Sequence, residues 1–321
     1  MILHPGLRAL RGDATPQRHA QQAMIAAADR WRATPLAAGV LADLDAFASF
    51  RPLAECPSLA ALFDAQDPAA AALARDFAAL TARELAQQPL GQVAMRHFTD
   101  GMVSTLLLAR KGNVTLVLMA VDGVAHKAAP EPSTADFGPF ETWERVLAGH
   151  GRADLVERHA FDAQGADLRR RTIALAPGKV IHGDAERQSL LLRDVDGCLV
   201  SLRLQRRRQG AGLTREYRLA DGALVHQAAG NPRDSRIELM LALLGRMGRA
   251  DAAPLAATIA TMTGSAALRW QALRECLALD TAAGFTALTQ VARSLDDELA
   301  PAAGALRSQL IEAHPQLAEI A

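Results

Sequence analysis

The stretch LAPGKVIHGDAERQSLLLRDVDG, residues 175–197, decides the fold. Its Pro177-Gly178 turn leads into a short apolar run that carries His182. A polar kink through Asp184 and Glu186 follows, and then a second apolar run that ends on Asp196-Gly197. Short runs rich in Val, Ile and Leu, separated by turn dipeptides, read as β-strands rather than helices. The stretch is therefore expected to be a strand pair, and the same grammar extends in both directions, from about residue 97 to about residue 228.

Upstream, MVSTLLLARKGNVTLVLMAVDG (102–123) reads as a hairpin around Lys111-Gly112-Asn113 that ends at Asp122-Gly123. Further Asp-Gly pairs at 196–197 and 221–222 predict tight hairpin turns, because glycine supplies the positive φ they need. TWERVLAG and ADLVERHAF read as separate strands around a glycine turn, GHG. With RRTIAL, KVIH, SLLLRDV, CLVSLRLQ, EYRLA and ALVHQ, the count is about ten short strands, enough for a β-barrel or sandwich.

Both flanks read as helical. In DPAAAALARDFAALTARELAQQPLG, Asp67 is a natural N-cap before Pro68, Leu73, Phe77 and Leu80 recur at helical spacing, and Pro89 with Gly91 closes the segment. Two earlier segments are expected to be helices packed through Met24 and Ile25 and through Leu41, Leu44 and Phe47. Beyond residue 230, Ser235 and Glu238 have capping-box spacing and Ser265 is a candidate cap. Four or five antiparallel helices are expected there, without a repeat period. The fold class expected is α+β. A helical region (1–95) precedes a central β-barrel or sandwich (96–230), and a C-terminal helical domain (231–321) follows.

Composition narrows the function. The 35 basic and 35 acidic residues balance, and only 4% of the chain is aromatic. That argues against nucleic acid as a partner. No run is long and apolar enough for a membrane span, and the N-terminus has no signal-peptide core, so a soluble, cytoplasmic protein with no membrane partner is expected. Cys56, Cys198 and Cys276 are far apart and lack CxxC spacing, which suggests neither a disulfide framework nor a cysteine zinc site.

Two places carry a family resemblance. VLAGHG (146–151) and LAPG (175–178) resemble the two motifs of the cupin superfamily, small β-barrels that often hold one metal in the barrel mouth. The resemblance is confined to the central strands and implies a barrel with a pocket. The family's first motif supplies a His-x-His pair and then a glutamate seven residues before the turn glycine. Here Thr142 stands at the glutamate's place, and STADFGPF (133–140) contains no histidine. The second motif's histidine is replaced by Arg187 or Gln188, and His182 lies on the preceding strand. The resemblance thus implies a barrel without the usual ligand set, and no cofactor is expected. A divalent transition metal held by scattered residues such as His97, His150, His159, His182 and Glu144 is the alternative.

The candidate pocket residues are His182, Glu144, Thr142, Arg187 and His97. His182 shares a strand face with Val180 and reads either as a pocket residue or as a hydrogen-bonded strand histidine. Glu144 shares its face with Thr142 and Val146, and buried there it would need a cationic partner such as Arg187 or Arg193. If instead the Trp143 face points inward, Arg145 becomes the candidate anion binder. His97 and Asp100 precede the first strand and could reach the rim. Three functions follow from the resemblance and its departures. One is a binding or regulatory module that takes a small molecule or peptide in the barrel, with the flanks as homo-oligomer or protein-partner surfaces. The second is an atypical metal-dependent enzyme of the oxygenase or isomerase kind. The third is an interaction protein acting through its C-terminal helices.

Overall fold

A computed structural model describes residues 12–162, 165–208, 212–294 and 296–320. The opening residues read above for a leader, 1–11, lie outside the described residues. The protein is α+β, and its chain divides into two compact units. The first comprises residues up to 135 with 140–208 and 219–222; the second comprises 136–139, 209–218 and 223 onward.

The first unit opens with helices α1 (Thr15–Arg32), α2 (Pro35–Ala48), α3 (Pro57–Ala61) and α4 (Ala69–Gln87). Proline sits in the first turn of α1, α2 and α3, where its missing N–H costs nothing. The Asp67 carboxylate accepts from Ala69 N at 2.8 Å, but α4 starts one residue later than expected, with Pro68 at the N-cap and Ala69 as its first residue. Met24, Trp31, Leu44, Phe47, Leu73 and Phe77 are buried at helical spacing. Ile25 was expected beside Met24, but it lies one position round the helix and is exposed.

The sheet of this unit holds β1 (His97–Thr99), β2 (Val103–Lys111), β3 (Val114–Asp122), β5 (Phe140–Phe161), β6 (Ala166–Leu175), β7 (Val180–Asp184) and β8 (Gln188–Arg207). The order is β1-β2-β3-β8-β5-β6, with β7 also on β5. The 102–123 hairpin forms as expected. Its Asp122 caps a short helix, α5 (Gly123–Ala128), by accepting from Val124 N and Ala125 N.

Two expectations are corrected here. GHG is not a turn between strands, nor is Asp196-Gly197 a hairpin; each lies inside one long strand, β5 of 22 residues and β8 of 20. The β5–β8 register shifts at Val146/Ala148 and Ala148/His150, and Gly149 and Gly197 take φ of 84° and 65°. Bulges of this kind bend a strand without ending it. Each long strand consequently serves two sheets. The first half of β5 pairs with β7 and its second half with β6, while the second half of β8 pairs with β3. Residues from both halves share one small core: Val121, Val146 and Leu199 with Ala153, Leu175 and Val195. The result is a two-layer sandwich with strands that turn its corners.

The outer face of the first sheet is covered by the N-terminal helices. Trp143, Leu202, Leu204, Val114 and Leu116 share one core with Trp31, Leu44, Phe47 and Leu73, and Phe47 meets Trp143 edge to face at 5.4 Å. The N-terminal helices therefore complete the sandwich rather than fold beside it.

In the second unit, β9 (Leu213–Arg218) and β10 (Leu224–Ala229) form the hairpin expected at Asp221-Gly222 and join β4 (Thr134–Phe137) in the order β10-β9-β4. Five helices follow among the described residues: α6 (Pro232–Arg246), α7 (Ala253–Thr261), α8 (Ala266–Leu279), α9 (Thr281–Arg293) and α10 (Ala300–Ala313). Ser265 caps α8 as expected, accepting from Leu268 N. The expected Ser235 cap is corrected. The Asn231-Pro232 pair starts α6 earlier, and Ser235 lies inside the helix, donating to Ala229 O at 3.2 Å.

Arg269, buried at the core of this unit, donates to Ala260 O and to the Asp297 carboxylate. That hydrogen bond holds the Asp297 carboxyl below its ordinary value of 3.8. A depressed carboxyl contributes stability above its unfolded value and loses it as pH falls. The second unit is therefore expected to weaken from about pH 4 downward. In Asp297→Asn, thermal melting should lose this part of the acid dependence.

Candidate functional site

The cross-strand registers of the sandwich set the site. Directly opposed residues on antiparallel strands point to the same side. One inner row runs Val117, Arg203, Glu144, Ile181; the next runs Thr115, Gln205, Thr142, Gly183. On the facing sheet, Leu192, Ala153 and Ile173 form one row, then Leu190, Leu155 and Arg171, then Gln188, Glu157 and Arg169. The interior thus passes from aliphatic at one end to polar at the other. Its polar end is a mouth holding Thr142, Glu144, Arg203, Gln205, Glu157 and Gln188.

Within the mouth, both oxygens of Glu144 are engaged. Ser201 Oγ donates to Oε1 at 2.8 Å, and Arg203 donates to Oε2 through Nε at 2.9 Å and Nη2 at 2.6 Å. The Arg203 side chain is 36% exposed, against 14% for Glu144, so the carboxylate is the more shielded partner and the guanidinium keeps an exposed edge. Gln188 donates to Glu157 at 3.3 Å, and Thr142 donates to Gly183 O at 3.4 Å. A rim pocket of about 340 Å³ is lined by Glu157, Arg158, His159, Phe161, Arg187 and Gln188.

The residues singled out in the sequence are dispersed. Thr142 and Glu144 lie on the inner face and Arg187 at the rim pocket. His182 lies on the other side of the sheet, stacked on Trp143 with ring centroids 4.6 Å apart and hydrogen-bonded to Glu141 at 3.3 Å. Val180 shares that side and packs in the helix-covered core. Burial pushes the Glu141 carboxyl up, but the hydrogen bonds from Arg206 and His182 outweigh it and leave it below its ordinary value. His97 is on the edge strand β1, its Nδ1 3.4 Å from Met95 O. Arg145 takes the Trp143 face and is buried, donating to the carbonyls of Leu62, Ala65 and Asp67. It is a tie for the chain before α4, not an anion binder. Arg193, offered as a partner for Glu144, pairs instead with Asp154 at 3.2 Å.

A catalytic transition metal needs about three imidazole or carboxylate ligands converging near 2 Å. Glu144 is already held by a guanidinium, so its neighbour is a cation rather than further donors. His182 and Asp184 stand two apart on β7, the spacing of a ligand pair that the sequence reading overlooked. They go separate ways, His182 to Glu141 and Asp184 to Arg208 at 3.1 Å. Among the described residues, no three His, Cys, Asp or Glu side chains come together as a ligand set. Among the described residues, the donor set around Glu144 does not fit a metal.

No family model matches the chain, and no curated protein matches it. Solved structures similar to it include a cupin superfamily protein from Desulfitobacterium hafniense, 17% identical, covering 35% of this chain and 83% of that one at a TM-score of 0.23. In this chain β5 and β8 run on through bends at Gly149 and Gly197, where the VLAGHG resemblance implied a strand-turn-strand. The likeness is one of fold, over the sandwich alone. Also similar are the Momordica charantia 7S globulin (15% identity, 40% of this chain, TM-score 0.27) and the hydroxypropylphosphonic acid epoxidase of S. wedmorenis (9%, 35%, 0.26). This chain spans 36% of the globulin's length and 55% of the epoxidase's. Among the described residues, no helix is long and apolar enough to cross a membrane.

Ser201, Arg203, Gln205 and Glu157 were missed in the sequence. The signal was present in CLVSLRLQ, where Ser201, Arg203 and Gln205 alternate with apolar residues, but only the pairing register sets them beside Glu144 and Thr142.

Proposed function

We propose that the cupin-like sandwich is a metal-free binding or regulatory module, taking into its mouth a small molecule or peptide that carries a carboxylate or phosphate. The observation that supports this reading is the Glu144–Arg203 pair. Glu144 fixes one edge of the guanidinium through Nε and Nη2, and the partly exposed fork that remains suits bidentate recognition of an oxyanion. Arg187 at the rim adds positive charge, and Gln188, Gln205 and Thr142 supply neutral polar groups around it. The helices of the first unit brace the sheet from outside, so the mouth is preorganised. Surfaces of the flanking helices would serve homo-oligomer or protein contacts.

The test is a thermal-shift screen of small carboxylates and phosphates on untagged protein, with hits titrated calorimetrically. Arg203→Ala is expected to weaken a hit at least about tenfold, the scale of one charge-assisted hydrogen bond. His182→Ala, on the far face, should leave the affinity unchanged. Unaltered affinity in Arg203→Ala, or loss in His182→Ala alone, would remove the reading.

A further inference from the structure

The second unit holds a cavity with a chemistry of its own. Helices α8 and α10 both pack on α9, and between them lies a groove of about 750 Å³. Leu277, Leu310 and Leu317 are drawn from the core of the unit and Trp270 lies beside them. Arg274, one turn along α8 from Trp270, and His314, just past the end of α10, also line it, and no carboxylate does. Among the described residues, neither Arg274 nor His314 has a side-chain hydrogen bond or ion pair.

We propose that this groove is a second binding site, separate from the sandwich mouth, for an amphiphilic carboxylate: an aliphatic chain on Trp270, Leu277, Leu310 and Leu317, with its head group at Arg274 and His314. The volume lies within the range of about 300–1,000 Å³ common for small-molecule sites. Leucines and a tryptophan provide apolar contact area. The guanidinium selects the head group, since a planar fork matches a carboxylate and the groove has no acidic residue to compete with it.

Decanoate is the probe, titrated calorimetrically into the full chain alongside 1-decanol. Saturable binding of one decanoate per chain is expected, with decanol at least about tenfold weaker for want of the charge-assisted contact. Arg274→Glu should weaken decanoate by a similar factor. Ala278→Trp, a change at an exposed residue of the groove wall, should abolish binding by filling the space. No saturable decanoate binding, equal binding of decanol, or full binding in both variants would overturn the proposal. The comparison of decanoate with decanol on the unaltered protein decides it even if a variant fails to fold. A binder that proves to be an acidic amphipathic helix, with decanoate excluded, also overturns it.

Discussion

Gly149→Val is expected to abolish folding of the sandwich, with a loss of about 4 kcal/mol or more, beyond the ordinary range for one substitution. Two effects add at this position. Its φ of 84° lies where a side chain costs about 1–2 kcal/mol, and an added Cβ would fall inside contact distance of the Cys198 carbonyl on β8. That carbonyl belongs to the other long strand at its own bend, so neither strand can move aside without opening the corner they share. Gly101 separates the two effects. It has a φ of 92° with nothing within 4 Å of a Cβ, so Gly101→Ala should cost only about 1 kcal/mol. Soluble expression and urea midpoints measure both. A Gly149→Val protein with the parent midpoint would show that β5 is not bent as described.

Arg145→Leu is expected to destabilise the first unit by about 3 kcal/mol, because three carbonyls lose their donor and one of them, Leu62 O, is buried away from water. Arg145 is only 6% exposed and bonds to Leu62 O at 3.2 Å, Ala65 O at 3.3 Å and Asp67 O at 2.7 Å. It therefore ties the chain between α3 and α4 to the middle of the sheet. Arg145→Lys should recover little, since one ammonium cannot span three acceptors in the geometry of the fork. Urea unfolding followed by tryptophan fluorescence reads the change, as Trp31 and Trp143 both lie in this core. A midpoint within error of the parent would contradict the role assigned to Arg145.

These two residues also show how far the sequence could be read. Helices α1, α2 and α4 and the 103–122 hairpin were legible because caps, prolines and a single Gly-Asn turn fix them locally. Gly149 was legible as a positive-φ position, but a turn and a bulge ask the same of a glycine; only the continuous pairing of β5 with β8 shows that the strand goes on. Arg145 and Glu144 are adjacent, and alternation alone placed them on opposite faces without saying which face was the interior. Both faces proved to be covered, the first by helices and the second by the facing sheet. That is why Arg145 is structural and Glu144 reaches the mouth. His182 went the same way as Arg145, since it pairs with Trp143 across the β5–β7 ladder.

The measurement closest to the central claim is calorimetric titration of untagged, chelator-treated protein with iron(II), manganese(II), nickel(II) and zinc(II), repeated on Glu144→Ala. With Glu144 committed to Ser201 and Arg203, no stoichiometric binding dependent on Glu144 is expected, and Glu144→Ala should leave the metal titrations unchanged. One metal bound per chain in the parent and none in Glu144→Ala would contradict the metal-free mouth.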